Sequence, residues 1–167
     1  MDFRIGHGYD VHRLEEGLPF VLGGVALEHH KGARGHSDAD VLLHAIADAL
    51  LGSLALGDIG QHFPDTDPAH RGLDSRILLA HCMDLVRKKG YELSNLDCTV
   101  CLQTPKIKDR IPAMRVAIAQ TLGVPEDRVS VKATTEEKLG FTGREEGVSA
   151  HATVLVQSPA VGAGRPG

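Results

Sequence analysis

The sequence predicts an α+β fold, a two-layer sandwich in which a mixed β-sheet carries helices on one face. Segments with the two-residue alternation of strands are interleaved with segments whose apolar residues recur at helical spacing. One pair of short strands is joined by a tight Gly23-Gly24 turn, which is typical of a hairpin. With 167 residues, the chain has the size of one ordinary domain. We therefore expect a single domain over 1–157 and a disordered, Gly- and Pro-rich tail over 158–167.

The first half of the chain is predicted to contain a strand, a hairpin and a long helix. In order, these are a strand over 3–14, a hairpin over 20–27, a loop over 32–35 and a helix that ends near residue 56. Ser37 or Asp38 is placed to cap this helix. Asp40, His44 and Asp48 are spaced by four residues, so they form one polar stripe on it, which in many proteins is simply a solvated surface.

The second half begins with a long loop and then alternates between helices and strands. The loop covers 61–72 and is rich in Pro, Asp and Gly, a composition typical of lids and binding segments. The predicted elements that follow are a helix from Asp74 or Ser75 to about Gly90, a strand over 92–103, a helix over 107–122 ended by Gly123, and strands over 128–134 and 148–157. The last strand is apolar on both alternations, so both of its faces need cover, and an oligomer interface is one way to provide it.

Composition argues against several classes of partner. The net charge is −4 and only 4% of residues are aromatic, so the chain lacks the basic, aromatic surface of nucleic-acid binders. No apolar run approaches the roughly 18 residues of a membrane span, and the first residues do not form a signal or transit peptide. We therefore expect a cytoplasmic protein.

Cys98 and Cys101 lie on an alternating segment that points them to opposite faces, so we expect them and Cys82 to be packed or surface residues rather than a redox pair.

Asp10, His12 and His44 are candidate ligands of a divalent metal. Asp10 and His12 are two residues apart, so on a strand both side chains leave the same face. Two imidazoles and one carboxylate suit Zn²⁺ or a similar ion and leave one coordination position open for substrate or water. The alternative is a hydrogen-bonded strand end and an unrelated helix histidine.

Neighbouring residues strengthen the metal interpretation. Gly6 and Gly8 allow another backbone to approach the strand closely. The helix that carries His44 also offers Asp40 or Asp48 as an acceptor for an imidazole N–H. The loop over 58–67 adds acidic and backbone groups that can line the same cleft.

A candidate anion site lies in the segment 132–144. Here a predicted strand ends in hydroxyls, cations and glycines, which can bind phosphate oxygens, and a Glu can hold Mg²⁺ between two phosphates. A polar turn with surface charges is an equally good interpretation of the spacing. The chain contains neither a complete dinucleotide fingerprint nor a Walker-type phosphate loop.

Together these motifs resemble the 2-C-methyl-D-erythritol 2,4-cyclodiphosphate synthase family of the non-mevalonate route to isoprenoid precursors. The resemblance follows the family's order from about Phe3 to Val156. It rests on Gly-His-Gly-Tyr-Asp-Val-His at 6–12, His-Ser-Asp-Ala-Asp at 36–40, Leu-His-Ala at 43–45, Leu-Gly-Asp-Ile-Gly at 56–60, Phe-Pro-Asp-Thr-Asp at 63–67, Lys-Ala-Thr-Thr at 132–135 and Glu-Lys-Leu-Gly-Phe-Thr-Gly-Arg at 137–144.

The resemblance implies a reaction and its metals. The 2-phosphate of 4-diphosphocytidyl-2-C-methyl-D-erythritol 2-phosphate attacks the β-phosphorus, giving the cyclic diphosphate and CMP. Asp10, His12 and His44 match zinc ligands, and Glu137 matches the ligand of a Mg²⁺ or Mn²⁺ that bridges the diphosphate. His36 and Thr135 match the catalytic residues that stabilise the transferring phosphate.

The resemblance also implies a set of substrate contacts. Besides Asp10, His12, His36, Thr135 and Glu137, they include Ser37, a substrate contact next to His36. The residues around the erythritol and 2-phosphate are Asp58, Ile59, Gly60, Phe63, Pro64, Asp65, Thr66 and Asp67, and those around the cytidine are Leu102, Gln103, Thr104, Pro105, Lys106, Ile107 and Lys108. Thr134, Glu136, Phe141 and Arg144 complete the set. The family usually has Ala where this chain has Leu102.

Family members are homotrimers with active sites shared between subunits and a cavity on the threefold axis. Arg144 matches an arginine that can meet a diphosphate in that cavity, whereas His151 stands where a Glu is often found. Two alternative functions remain: a metallophosphohydrolase that uses metal-activated water, and a non-catalytic trimer that binds isoprenoid diphosphates.

Overall fold

The computed structural model describes residues 1–64 and 72–159. It contains seven strands and five helices in these described ranges. The strands are β1 (Phe3–Glu16), β2 (Phe20–Leu22), β3 (Val25–Leu27), β4 (Lys31–Ala33), β5 (Glu92–Cys101), β6 (Val129–Thr134) and β7 (Gly147–Gln157). The helices are α1 (Val41–Ser53), α2 (Ile59–His62), α3 (Ser75–Lys88), α4 (Ile111–Leu122) and α5 (Gly140–Gly143), with 3₁₀ turns at Lys108–Arg110 and Glu126–Arg128.

Five strands form one mixed sheet in the order β4-β1-β7-β5-β6. The β5–β6 pair is parallel and the other neighbours are antiparallel. The strands β2 and β3 form a separate ribbon, as the Gly23-Gly24 turn predicts. The mixed α+β architecture expected from the sequence is therefore confirmed.

The helix α1 packs directly on β1 because two glycines remove the side chains between them. A Cβ atom on Gly8 would lie 1.9 Å from the carbonyl oxygen of Ala45, and one on Gly6 would lie 1.9 Å from that of Ala49. The close approach expected from the glycines is thus made by a helix backbone. It places His44 of α1 beside Asp10 of β1.

The opposite face of the sheet carries exposed apolar side chains. Residues that alternate with the glycines on β1 leave this face, and Ile5, Tyr9 and Val11 are 70%, 45% and 43% exposed. His151 of β7 lies between His7 and Tyr9 there, with ring centroids 5.7 and 4.8 Å away. One face of the sheet is therefore buried under helices, and the other is open in the single chain.

Several predicted boundaries were wrong. The expected loop over 32–35 overlaps β4, a short edge strand that pairs with the end of β1. The helix α1 ends at Ser53 rather than near 56, and its cap is Asp40 rather than Ser37 or Asp38. Ser158, the first residue of the predicted tail, is held by Asp2, because its N–H donates to the Asp2 carbonyl oxygen and its hydroxyl accepts from the Asp2 N–H. Residues 160–167 lie outside the described residues.

The three cysteines are free and buried. Burial raises the pKa of Cys82 to about 12 and also raises the pKa of Cys98 and of Cys101. They are packing residues, one of the two outcomes expected from the sequence. No helix in the described part of the chain combines the length and apolar character needed to cross a membrane.

Candidate active site

Asp10, His12 and His44 converge on one point, as the spacing predicts. The His44 Nδ1 atom lies 3.0 Å from Asp10 Oδ2 and 3.2 Å from His12 Nε2. The His12 Nε2 atom lies 3.0 Å from the same Asp10 oxygen. These three residues form a group that can hold a metal ion. The alternative of an unrelated helix histidine is therefore wrong.

The chemistry of the three atoms fits a cation. The His12 Nδ1–H donates to the carbonyl oxygen of Arg34 at 3.0 Å, and since a carbonyl can only accept, the neutral ring has its lone pair on Nε2. That lone pair faces a carboxylate oxygen, an arrangement that a proton or a metal ion between them stabilises. When His12 and His44 are protonated, they donate hydrogen bonds to the Asp10 carboxylate. Burial raises the pKa of Asp10, but these bonds outweigh it and lower the pKa to about 2, so the carboxylate is ionised.

The spacing of the atoms also fits a divalent metal. Zinc bound tetrahedrally at about 2.05 Å holds its ligand atoms about 3.3 Å apart. The observed separations of 3.0 to 3.2 Å are close to this value. Asp10, His12 and His44 would therefore suit a divalent metal, and all three line the cavity described below.

The predicted imidazole acceptors Asp40 and Asp48 have other partners. The Asp40 carboxylate is fully buried and accepts from the N–H groups of Gly23 and Gly24, at 2.9 and 2.7 Å, as well as from the start of α1. Asp48 accepts from the Ile59 N–H at 2.8 Å. Backbone N–H groups at the hairpin and at the starts of two helices have no partner within their own element, and they donate to these carboxylates instead. The prediction that either receives an imidazole N–H was wrong, and Asp40 is not part of a solvated stripe.

The metal-binding group opens into a cavity of about 650 Å³. Its lining residues are Asp10, His12, Arg34, Gly35, His36, Ser37, His44, Ile59, Gly60, Phe63 and Leu78. The sequence motifs indicate all of them except Arg34, Gly35 and Leu78. A Cβ atom on Gly35 would lie 3.1 Å from His12 Cε1, so this glycine leaves room for the imidazole. Arg34 and Gly35 directly precede the His36 motif, and this adjacency is the signal in the sequence by which they could have been included.

Other residues of the predicted lid have structural roles or lie outside the described ranges. Asp58 caps α2 by accepting from the Gln61 N–H at 3.1 Å. Pro64 ends the first described range. Asp65, Thr66 and Asp67 lie outside the described residues.

The predicted cytidine and phosphate residues form a second cleft of about 230 Å³. It is lined by Leu102, Pro105, Lys106, Ile107, Lys108, Ile111, Ala133, Thr134 and Thr135. Gln103 and Thr104 belong to the same loop, in which the Thr104–Pro105 bond is cis and the Gln103 Oε1 atom accepts from the Lys138 N–H at 3.3 Å. The ends of β5 and β6 thus bring the two predicted segments together.

The segment after β6 has an unusual backbone. Glu137 and Lys138 both have left-handed conformations, with φ of 52° and 65°. Such conformations cost of order 1–3 kcal/mol for residues with a side chain and are found preferentially at functional sites. Glu136 is half-buried and the Glu137 side chain is exposed.

Phe141 lines a third cleft with His12, and Arg144 donates to the Glu146 carboxylate at 3.0 Å.

The two larger cavities are separate within one chain. Asp10 lies in register with Ala150, Val100 and Ala133 across four strands, which corresponds to about 14 Å at about 4.8 Å per strand. Among the described residues, the two cavities share no lining residue. A single chain therefore does not bring Thr135 to the metal-binding group.

Comparisons with known proteins agree on one family. The model of the YgbB family matches residues 3–157. A protein of Porphyromonas gingivalis named 2-C-methyl-D-erythritol 2,4-cyclodiphosphate synthase is 60% identical over 154 residues, which cover 92% of this chain and 95% of that protein.

Solved structures agree with the sequence comparison. A bifunctional protein of Campylobacter jejuni superposes with a TM-score of 0.91 at 45% identity, covering 95% of this chain and 43% of that longer one. A 2-C-methyl-D-erythritol 2,4-cyclodiphosphate synthase bound to CDP superposes with a TM-score of 0.85 at 40% identity, covering 92% of this chain and all of the other.

Proposed function

The chain belongs to the YgbB family, and we propose that it converts 4-diphosphocytidyl-2-C-methyl-D-erythritol 2-phosphate to 2-C-methyl-D-erythritol 2,4-cyclodiphosphate and CMP. It is an enzyme of the cyclising, phosphorus–oxygen lyase type that acts in the non-mevalonate route, consistent with the name of its 60% identical relative. The observation that carries this function is the convergence of Asp10, His12 and His44 on one point of a cavity walled by the family's motifs.

Zinc is the metal we propose for Asp10, His12 and His44. When bound, it supplies a Lewis acid that polarises a phosphate oxygen. The two histidines and the carboxylate hold it, with His12 oriented by the Arg34 carbonyl. Zinc is favoured because two imidazoles and one carboxylate with an open position form a ligand set common in catalytic zinc sites.

The remaining cavity residues position the phosphates. Phosphoryl transfer asks for little covalent chemistry from the protein, so orientation and charge stabilisation supply most of the rate. His36 is exposed and lines the cavity together with Ser37, which supports a role for both in binding the transferring phosphate. Ile59, Gly60 and Phe63 offer a surface for the erythritol carbon chain.

The second cleft is proposed as the cytidine site. Its backbone-rich loop over 102–108 meets Thr134 and Thr135, so a base and a diphosphate can bind side by side. The solved synthase bound to CDP, which superposes on this chain, supports a cytidine diphosphate ligand. Glu137 is proposed to hold the Mg²⁺ or Mn²⁺ that bridges the diphosphate.

A homotrimer is proposed to complete the site. The open sheet face of one chain, with Ile5 70% and Phe3 53% exposed, supports an interface between copies. The separation of about 14 Å between Asp10 and Ala133 supports an active site in which the metal centre of one chain meets the cleft of the next. A cytoplasmic location is part of the same proposal.

Phosphorus NMR of the reaction tests the function. Incubation of the protein with the cytidylated substrate, Zn²⁺ and Mg²⁺ is expected to give the resonances of the cyclic diphosphate and of CMP in equal amounts. Release of inorganic phosphate without a cyclic product would instead support a metallophosphohydrolase. Binding of isoprenoid diphosphates without any turnover would support the non-catalytic trimer.

A further inference from the structure

We propose that Asp48 is a positioning residue for the cyclisation, because it ties the start of α2 to α1 and so fixes one wall of the larger cavity. Residues 59–63 form this wall, the α2 wall. The inference rests on the proposed function, in which the α2 wall contacts the erythritol part of the substrate. Asp48 belongs neither to the candidate metal ligands nor to the substrate contacts that the family resemblance implies.

The helix α2 needs support from outside itself. It has only four residues, Ile59–His62, and none of them is fully buried. Helices this short have too few internal hydrogen bonds to be stable alone. The Phe63 N–H donates to the Ile59 carbonyl oxygen at 2.7 Å, and Asp58 caps the helix start. Contacts with the rest of the chain therefore determine where α2 lies.

Asp48 supplies the hydrogen bond that ties the start of α2 to α1. Its Oδ1 atom accepts from the Ile59 N–H at 2.8 Å. The first N–H groups of a helix have no acceptor within that helix, and the cap residue Asp58 accepts from the Gln61 N–H instead. Asp48 is the one residue between 41 and 51 that is not fully buried, because its carboxylate leaves the core to meet α2.

A second contact holds the other end of the α2 wall. The ring of Phe63, which lines the cavity, meets the ring of His81 on α3 at 83°, with 5.2 Å between the centroids. An edge-to-face arrangement at this distance is favourable for aromatic rings. Leu78, three residues before His81 on α3, lines the same cavity. The α2 wall is thus held at its start by α1 and at its end by α3.

The anchor bears on the reaction because α1 also carries His44. His44 and Asp48 are four residues apart, which corresponds to about 6 Å along a helix. Ile59 and Gly60, at the start of the α2 wall, line the same cavity as His44. One rigid helix therefore relates the metal-binding group to the surface for the erythritol. Because the erythritol carries the attacking 2-phosphate, its placement relative to the β-phosphorus is expected to control kcat.

Hydrogen exchange tests the anchor in the protein without substrate. The Ile59 amide is expected to be protected from exchange with deuterium, and Asp48→Ala is expected to raise its exchange rate by about tenfold. Asp48→Asn is expected to restore the protection, because the amide oxygen of asparagine can accept the same N–H.

Asp84→Ala is the matched control for this measurement. It also removes an aspartate from a helix, but Asp84 is exposed on α3 and lines none of the cavities described above. The exchange rate of the Ile59 amide is expected to stay at the wild-type value. Alanine is well tolerated within helices, and the melting temperature verifies that each variant is folded.

Kinetics test whether the anchor serves the cyclisation. Asp48→Ala is expected to lower kcat by about 10- to 100-fold, while CMP, whose proposed site is the second cleft, inhibits with the wild-type constant. Asp48→Asn is expected to keep kcat close to the wild-type value. His81→Ala is expected to lower kcat by about two- to tenfold, and His81→Phe, which keeps the ring contact, is expected to restore it.

The proposal is overturned if the Ile59 amide of Asp48→Ala exchanges at the wild-type rate, because the anchor then lies elsewhere. It is also overturned if the amide exchanges faster but kcat is unchanged. Equal losses of kcat in Asp48→Asn and Asp48→Ala would overturn it too, because the charge of Asp48 rather than its hydrogen bond would then matter. A protein that makes no cyclic diphosphate would refute the proposed function, whereas the exchange data would still decide separately whether Asp48 anchors α2.

Discussion

Replacing Gly8 by alanine is expected to disturb the fold and the metal centre together, because Gly8 lies directly against the backbone of α1. The added Cβ atom would be 1.9 Å from the Ala45 carbonyl oxygen and 2.8 Å from the Ala49 nitrogen. Real Cβ contacts are essentially never shorter than 3.0 Å, so α1 and β1 must separate by about 1 Å. Overpacking of this kind costs about 1–3 kcal/mol, and a backbone obstacle favours the upper end.

The same movement reaches the metal ligands. His44 precedes Ala45 on α1, and Asp10 is two residues from Gly8 on β1. A shift of about 1 Å is a third of the 3.0 Å separation between His44 Nδ1 and Asp10 Oδ2. Misplacement by this distance can cost about 10²-fold in rate. We therefore expect Gly8→Ala to lower both Zn²⁺ affinity and turnover.

Thermal unfolding and a Zn²⁺ titration check this prediction. For a domain of this size, each kcal/mol corresponds to a melting-temperature change of about 2–4 °C. Gly52→Ala is the matched control, since Gly52 also lies on α1 but the nearest atom outside this helix, the His7 carbonyl oxygen, would be 3.9 Å from the added Cβ atom. An alanine there is expected to stabilise the helix by about 0.5–1 kcal/mol. A Gly8→Ala protein that melts like the wild type and binds Zn²⁺ normally would refute the reasoning.

Three further predictions concern the thiols, the phosphate site and the assembly. The folded protein is expected to leave Cys82, Cys98 and Cys101 unmodified by a water-soluble thiol reagent and to expose all three on unfolding, because each is buried; rapid modification of a folded sample would contradict this. Thr135→Ala is expected to lower kcat by about 10²-fold, about 2.7 kcal/mol of transition-state stabilisation, with little change in melting temperature. Unchanged turnover would make Thr135 only a cleft residue. Co-refolding His44→Ala with an inactive variant in the 103–106 loop is expected to regain some activity, since in a mixed oligomer some interfaces join an intact metal-binding group to an intact cleft. Mixed oligomers that are verified by native mass spectrometry but show no activity would exclude a shared site.

The shared direction of Asp10 and His12 in the candidate metal-binding group could be predicted because its signals are local. Two-residue spacing on a strand places Asp10 and His12 on one face, and the glycines at 6 and 8 predict that another backbone packs closely against this strand. The alternation of strands and helices likewise predicted the mixed sheet. These features depend on neighbouring residues alone.

Features that depend on distant contacts could not be predicted in the same way. Asp40 and Asp48 have the spacing of an imidazole partner, but the hairpin N–H groups that claim Asp40 come from 16 and 17 residues away. The β4 strand has three residues, too few for a periodic pattern, and exists because β1 extends far enough to pair with it. The sequence predicted that a helix begins at Asp74 or Ser75, but not that the Ser75 hydroxyl donates to Asp38, a residue 37 positions earlier in the chain.

Turnover of the metal-free protein against added Zn²⁺, followed by phosphorus NMR with Mg²⁺ present throughout, tests the central claim most directly. We expect no cyclic diphosphate before zinc is added, and a rate that rises until one zinc is bound per chain. His44→Ala is expected to stay inactive at the same zinc concentration while remaining folded. Cyclisation at the full rate without zinc, or by His44→Ala, would contradict a metal centre formed by Asp10, His12 and His44.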